Sequence, residues 1–238
     1  MKKLSIGYLL SIIILFYAFA IKAQSDLPRA ELLTRVTNAY PAFSPDGSKM
    51  AYMSNADGDF DIYVLHLKER LLIQLTDAPN RDGTPVWSPD GSQIAFQSFR
   101  DGHSQIYLMD ADGRNQINIS NSDSHDEHPF WSADGKRFLF CSDRSGTERE
   151  EDHNIDIFEM NTAGSNVRQI TATPEVETYA SWSPDGKKIV CRKILPNGDW
   201  EIVVMNSDGS NPQNISNHAG IDGWPVWSPD GMRIAYAS

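Results

Sequence analysis

One phrase recurs along the chain and constrains its fold more than any other feature. Two full copies read PVWSPDGSQIAFQS, from Pro85 to Ser98, and PVWSPDGMRIAYAS, from Pro225 to Ser238. The aspartate of the phrase occurs five times, at steps of 44, 44, 51 and 45 residues: Asp46, Asp90, Asp134, Asp185 and Asp230. Regular spacing at this length is typical of proteins built from stacked structural repeats.

Each repeat predicts four short strands. In the second copy they are PVWS, QIAFQS, QIYLMD and QINIS, which are β-branched and aromatic runs bounded by Gly, Pro, Asp and Asn. The SPDG between the first two strands predicts a hairpin turn, because Pro presets the backbone angle and Gly adopts the left-handed conformation. Units starting near residues 41, 85, 129, 180 and 225 therefore predict an all-β protein, a β-propeller of four-stranded blades with five repeat units. A linear β-solenoid is the alternative, but its repeats are usually shorter.

The first 23 residues have a different character. Lys2 and Lys3 precede an apolar stretch from Leu4 to Ala20, and two candidate cleavage sites end in alanine, at Ala20 and Ala23. This order is typical of a secretory signal peptide. It predicts cleavage after residues 20 to 23, a propeller domain over residues 24–238, and a periplasmic or secreted protein without a stable membrane span. An uncleaved anchor is the alternative, since 17 apolar residues lie at the lower limit for spanning.

The overall charge restricts the classes of partner. The chain has 32 acidic and 21 basic residues, so its formal net charge is −11. Nucleic-acid binding requires clustered Lys and Arg side chains, and this balance argues against it. Only two cysteines occur, Cys141 and Cys191, so the core rather than a disulfide framework has to stabilise the fold.

The repeated phrase, followed by DIY at Asp61 and LT at Leu75, resembles the WD40-like (PD40-type) repeats of TolB-like β-propellers. The resemblance covers roughly residues 31–238. It implies a non-catalytic, exported propeller that binds a protein or cell-envelope partner and needs no cofactor. Similar repeats build the propellers of prolyl-oligopeptidase-type and tricorn-type proteases. The alternative is therefore the propeller part of an enzyme, peptidase-associated or carbohydrate-active, although the chain has no G-x-S-x-G sequence.

The two ends of the repeat array leave its closure open. The fifth unit contains only its first two predicted strands, and AELLTRV, from Ala30 to Val36, resembles a fourth strand. Pairing of this N-terminal strand into the last blade would cover an exposed strand edge. The sequence is consistent with a five-bladed propeller whose last blade is incomplete, or with a fragment of a longer propeller, and we favour the fragment.

Aligning the repeats reveals a set of acidic residues, each three positions before the Pro position of the phrase: Asp82, Asp126, Glu177 and Asp222. Asn38 is their counterpart in the first unit. We expect these residues to precede the first strand and to form an acidic, partner-binding face around the channel. The acidic insertion EREEDH, at residues 148–153, is expected on the same face. The alternative is that each side chain caps its own loop.

His125 and His128 lie in SHDEHPF, between two repeats. This spacing is not the H-E-x-x-H arrangement of a metal-binding helix, and the other repeats supply no further histidine at these positions. We interpret the segment as a solvated loop. The sequence thus predicts no catalytic residue, no metal site and no cofactor.

Overall fold

The computed structural model describes residues 36–144, 154–217 and 219–238, which lie within one compact unit, Val36–Ser238. The predicted signal peptide, nearly all of the N-terminal strand and the EREEDH insertion lie outside the described residues. Within them, every regular element is a β-strand. No helix in this part of the chain has the length and apolar character needed to cross a membrane.

The strands form four four-stranded antiparallel sheets and one two-stranded sheet. Blade 1 contains β1 (Asn38–Phe43), β2 (Lys49–Ser54), β3 (Asp61–His66) and β4 (Leu71–Gln74). Blade 2 contains β5 (Asp82–Trp87), β6 (Gln93–Ser98), β7 (Gln105–Asp110) and β8 (Ile117–Asn118). Blade 3 contains β9 (Asp126–Trp131), β10 (Arg137–Ser142), β11 (Asp156–Asn161) and β12 (Arg168–Gln169). Blade 4 contains β13 (Val176–Trp182), β14 (Lys188–Ile194), β15 (Trp200–Asn206) and β16 (Gln213–Asn214). Blade 5 contains β17 (Gly223–Trp227) and β18 (Ile234–Ala237). The predicted blade architecture is confirmed, and the sheets do not close on one another.

The SPDG phrase forms the same hydrogen-bonded turn in each blade. In blade 2 the Ser88 hydroxyl donates to Asp90 at 2.6 Å and accepts from the backbone N–H of Gln93 at 2.9 Å. The Asp90 carboxylate also accepts from the backbone N–H of Ser92 at 3.0 Å. Equivalent bonds recur in the other four blades. The turn is therefore specified by its own side chains.

A second repeated contact explains the LT motif. The Thr76 hydroxyl, at the end of the fourth strand, donates to the Asp61 carboxylate at 3.0 Å. The same hydroxyl accepts from the backbone N–H of Ile62 at 2.9 Å. Blades 2 to 4 repeat this arrangement with hydroxyls from Ser120, Thr171 and Ser216. Each hydroxyl fastens the short outer strand to the third strand and satisfies polar groups that burial would otherwise leave unpaired.

Successive blades share their hydrophobic cores. Met53 and Val64 of blade 1 pack in one cluster with Trp87 and Phe96 of blade 2, and the next two blade pairs form similar clusters. The Trp87 indole N–H donates to the carbonyl oxygen of Ala42 in the preceding blade at 3.0 Å. Both faces of an internal blade are thus buried.

The turns provide a further contact between blades. Pro45 lies against the turn of blade 2, where a Cβ on Gly91 would be 3.5 Å from the proline Cδ. Two later turns repeat this approach. Blade 3 has Ala133 in place of the proline, and nothing lies within 4 Å of a Cβ on Gly186 in blade 4.

The first strands begin earlier than the sequence predicted. In blade 2 the strand starts at Asp82 and pairs with Ser98, and a bulge separates Gly83 from Val86 in the register. The bulge absorbs the extra residues before the proline, so the ladder continues past it. The prediction that the acidic residues precede the strand is therefore wrong for Asp82, Asp126 and Glu177, which lie within it. Asp222 directly precedes β17.

Candidate functional site

Each first strand carries one residue with an unusual backbone conformation, directly before the Pro position of the phrase. These five bulge residues have φ between 47° and 55°: Tyr40, Thr84, His128, Tyr179 and Trp224. Glycine is the usual residue at left-handed positions of this kind, because other residues meet steric strain of roughly 1–3 kcal/mol there. The strain recurs in every blade, and strained backbone is often associated with functional sites.

The bulge residues define what we call the bulge end of the molecule, where the first strands start. The opposite end, which carries the SPDG turns and the turns between third and fourth strands, is the turn end. At the bulge end the Tyr179 ring lies 4.0 Å from the His128 ring and 6.1 Å from the Trp224 ring, between centroids. The Tyr40 hydroxyl of blade 1 is 3.3 Å from the Tyr179 hydroxyl of blade 4. Residues from four blades therefore converge on one place.

Arg192, on the second strand of blade 4, lies beneath this cluster. Only 9% of the residue is exposed. Its guanidinium carbon is 4.6 Å from the centroid of Tyr179 and 4.3 Å from that of Trp200. Its Nε donates to the Thr178 hydroxyl at 2.9 Å. Burial lowers the pKa of the guanidinium, although such a group remains charged at neutral pH.

His128 is held neutral in this environment. Burial, with the charges of Arg192 and Arg81, lowers the pKa of its imidazole to about 3. Its Nδ1 is buried and makes no hydrogen bond within the described residues. Burial also raises the pKa of the neighbouring Tyr179 phenol. The interpretation of His128 as part of a solvated loop is therefore wrong, because the bulge turns the side chain inward.

The four acidic residues singled out from the sequence lie at the bulge end and are buried. Asp82 forms an ion pair with Arg100 at 2.8 Å, and burial raises the pKa of this carboxyl. Arg144 donates to both oxygens of Asp126 at 2.8 Å. These arginines come from the loops that join second and third strands. Each pair ties that loop to the start of the first strand.

Glu177 of blade 4 is also paired, but its partner lies on the second strand itself and not in the loop that follows it. Lys193 lies 3.1 Å from the Glu177 carboxylate, which also accepts from the Thr173 hydroxyl at 3.0 Å. Asp222 of blade 5 is fully buried. The ion pairs support the loop-capping alternative for Asp82, Asp126 and Glu177. Direct partner binding by the four carboxylates stays a prediction.

The turn end contains a cavity of about 280 Å³ between the first strands. Its wall includes Trp131, Trp182 and Trp227, together with Val86 and Phe130. These side chains belong to the repeated phrase and serve the packing between blades. Few polar groups face the cavity, which therefore offers little chemistry.

One group of described carboxylates has a spacing that could hold a metal ion, formed by Asp57, Asp61 and Asp77. Burial, opposed by a hydrogen bond from Thr76, raises the pKa of Asp61 to about 6. Thr76 and Gln74 already donate hydrogen bonds to Asp61, so the position of this carboxylate is explained by the contacts that hold the fourth strand against the third.

The two cysteines are buried and free, and burial raises the pKa of Cys141 to about 12, which disfavours a reactive thiolate.

Sequence reasoning missed Tyr40, Tyr179, Trp224 and Arg192 as candidate site residues. The residue directly before the Pro position differs between repeats, and so does the residue that precedes it. The bulge is what makes this position special, and no local residue pattern announced it. Arg192 has no counterpart in the other blades, where Met53, Gln97 and Cys141 occupy its place.

Comparisons with known proteins agree with this architecture. The family model of the TolB beta propeller domain matches residues 31–149, half of the chain. TolB from Acinetobacter baumannii is 25% identical with a TM-score of 0.71, over 84% of this chain and 48% of that protein. The chain thus spans about half the length of that relative. A putative TolB from Agrobacterium tumefaciens has the same identity and TM-score, over 85% of this chain and 70% of that one.

More distant structures share the fold alone. An oligogalacturonate lyase from Vibrio parahaemolyticus is 18% identical with a TM-score of 0.64, over 85% of this chain and 60% of the lyase. No curated protein sequence matches the chain. The fold therefore occurs in enzymes as well as in TolB proteins, and function has to be argued from the site.

Proposed function

The chain belongs to the TolB β-propeller family, and from this membership we propose that it is a non-catalytic, exported propeller that binds a protein or cell-envelope partner at its bulge end. One observation carries the proposal. Four bulge residues from different blades converge, and each occupies a strained conformation that glycine would adopt more easily. Aromatic side chains with a polar tip are enriched at protein interfaces.

The exposure of the cluster supports binding. Trp224 is 43% exposed at the edge of the cluster, whereas Tyr179 is partly buried behind it. A large aromatic residue beside a buried polar centre has the anatomy of an interface hot spot. We propose that four carboxylates hold the rim of this surface: Asp82, Asp126, Glu177 and Asp222. Direct contact of the same carboxylates with the partner is also part of the proposal.

The proposal of a non-catalytic role is supported by the chemistry of the candidate nucleophiles and bases. Cys141 and Cys191 are buried thiols with raised pKa. His128 has its pKa lowered to about 3, far from the range of an efficient general base at neutral pH. Export to the periplasm or the medium is proposed from the charged and apolar N-terminal segment.

The experiment places a photo-crosslinking phenylalanine analogue at Trp224, at the bulge end, and in a matched variant at Met232, at the turn end. Met232 is 82% exposed, so both probes reach solvent. Irradiation of intact cells should yield a specific adduct with an exported or envelope protein from position 224, recovered in the envelope fraction. Equal adducts from both positions, or none from position 224, would contradict the proposal.

A further inference from the structure

Among the described residues, Arg192 is a mostly buried cation with which no carboxylate forms an ion pair. By contrast, Arg100, Arg144 and Lys193 at the same end are all paired. Buried charges in proteins are nearly always paired, because removal from water is costly. The faces of Tyr179 and Trp200 offset only part of that cost.

The free donors of Arg192 have a defined direction. Nε is occupied by Thr178, and the two terminal nitrogens make no hydrogen bond within the described residues. Some described polar atoms are both buried and without a hydrogen-bond partner, and the two terminal nitrogens of Arg192 do not belong to that group. The aromatic faces and the Thr178 bond fix the plane of the guanidinium, and this fixed pair of donors matches the two oxygens of a carboxylate.

We propose that Arg192 is the centre of a carboxylate-binding site at the bulge end, which receives an acidic side chain or the C-terminus of the protein partner. This inference rests on the proposed function and names the chemistry that the partner brings. The hydroxyls of Tyr40 and Tyr179 lie 3.3 Å apart beside the site, and because one donates to the other, the pair offers one further donor. The His128 ring, 4.0 Å from that of Tyr179, is neutral because its pKa is lowered, so it adds no charge to the site.

The surroundings favour a carboxylate over a phosphate. A single fork of two free nitrogens matches a planar monoanion, whereas a phosphate dianion carries more charge than one arginine neutralises. Arg100, Arg144 and Lys193 at the same end are each already paired with a carboxylate, so they do not supply the second positive charge that a dianion needs.

The first experiment uses acetate as the probe, with inorganic phosphate and chloride at matched ionic strength. The measurement is the NMR resonance of the Arg192 Nε–H and of the Trp200 indole N–H. Acetate should shift both saturably at millimolar concentrations, and Arg192→Gln should weaken binding at least tenfold. Arg192→Lys keeps the cation but lacks the fork, so several-fold weaker binding is expected. Arg114→Gln, at an exposed arginine of the turn end, is the control that should bind as the wild type does.

Two peptides then distinguish the sources of the carboxylate. One contains a single internal glutamate and an amidated C-terminus, and the other has only its free C-terminal carboxylate. Binding of either peptide that depends on Arg192 supports the inference and identifies the source. Equal shifts with chloride, stronger binding of phosphate, or acetate binding unchanged in both Arg192 variants would overturn it.

The crosslink at position 224 separates this inference from the proposed function. Loss of the adduct in Arg192→Gln, with acetate binding also lost, supports both. An undiminished adduct in that variant overturns the assignment of the carboxylate to the partner and leaves the proposed function standing. Absence of any adduct in the wild type overturns the proposed function, while the acetate measurement still decides whether the site exists.

Discussion

The two ends of the first strands follow opposite rules. At the turn end the same serine and aspartate make the same hydrogen bonds in all five blades. At the bulge end the backbone conformation recurs, but its residue is Tyr, Thr, His, Tyr and Trp in turn. Repetition of side chains marks the end that builds the fold. Repetition of backbone with varied side chains marks the end at which we propose that the partner binds.

The sharpest way to break this comparison is to disturb a backbone contact at the turn end. Gly164 has φ of +75°, and an added Cβ would overlap the carbonyl oxygen of Ile119 in the preceding blade, at 1.9 Å. We expect Gly164→Ala to lower the free energy of unfolding by roughly 4 kcal/mol, because a backbone atom has to move. Chemical denaturation followed by circular dichroism measures this loss.

Gly186→Ala is the matched control, because Gly186 has φ of +70° with nothing within 4 Å of the new Cβ. It should cost only the conformational strain, about 1 kcal/mol. Equal losses in the two variants would show that strain, and not the contact between blades, dominates at this end.

A second prediction concerns the carboxylates of the bulge end. Asp126→Asn leaves Arg144 largely buried without its partner, so the free energy of unfolding should fall by roughly 3 kcal/mol. Asp90→Asn, at an exposed turn, should cost only about 1 kcal/mol. Urea denaturation of both variants at neutral pH provides the comparison.

Replacement of all four carboxylates, Asp82, Asp126, Glu177 and Asp222, by Asn or Gln extends the test. If they hold loops, this variant loses β-structure. A variant that folds with wild-type stability but gives no crosslink from position 224 would instead identify the carboxylates as direct contacts with a partner.

The smallest expected effect lies at a bulge residue. Trp224→Gly removes the strain of a non-glycine residue at φ of 52°, and because Trp224 is 43% exposed, the packing that is lost offsets much of the relieved strain. We expect a gain of about 0.5 kcal/mol in unfolding free energy, measured by denaturation. Thr84→Gly relieves similar strain but also removes the bond from the buried Thr84 hydroxyl to Gln97, so it should gain less. A clear loss in Trp224→Gly would assign that side chain a structural role.

The sequence predicted the fold better than the site, and the reason is physical. Turns and strands arise from local preferences, such as the Pro, Asp and Gly around Asp90, which a single repeat already displays. The convergence of Tyr40 on Tyr179 joins blades 1 and 4, and no local pattern encodes a contact across 139 residues. Alignment of the repeats identified the carboxylates. The arginine partners of Asp82 and Asp126 lie two residues beyond the second strand of each blade, and the alignment did not identify them.

The junction between blades 3 and 4 lacks two of the fastenings found at earlier junctions. The indoles of Trp87 and Trp131 bond to a carbonyl of the preceding blade, whereas the Trp182 indole N–H has no hydrogen-bond partner in the described part of the chain. Ala133 also replaces the proline that would reach Gly186. In arrays stabilised by nearest neighbours, cooperativity passes from unit to unit and is limited by the weakest coupling. Opening fluctuations should therefore be more frequent at this junction than at the two before it, beside the contact of His128 with Tyr179, so that a partner bound across both blades would reduce them.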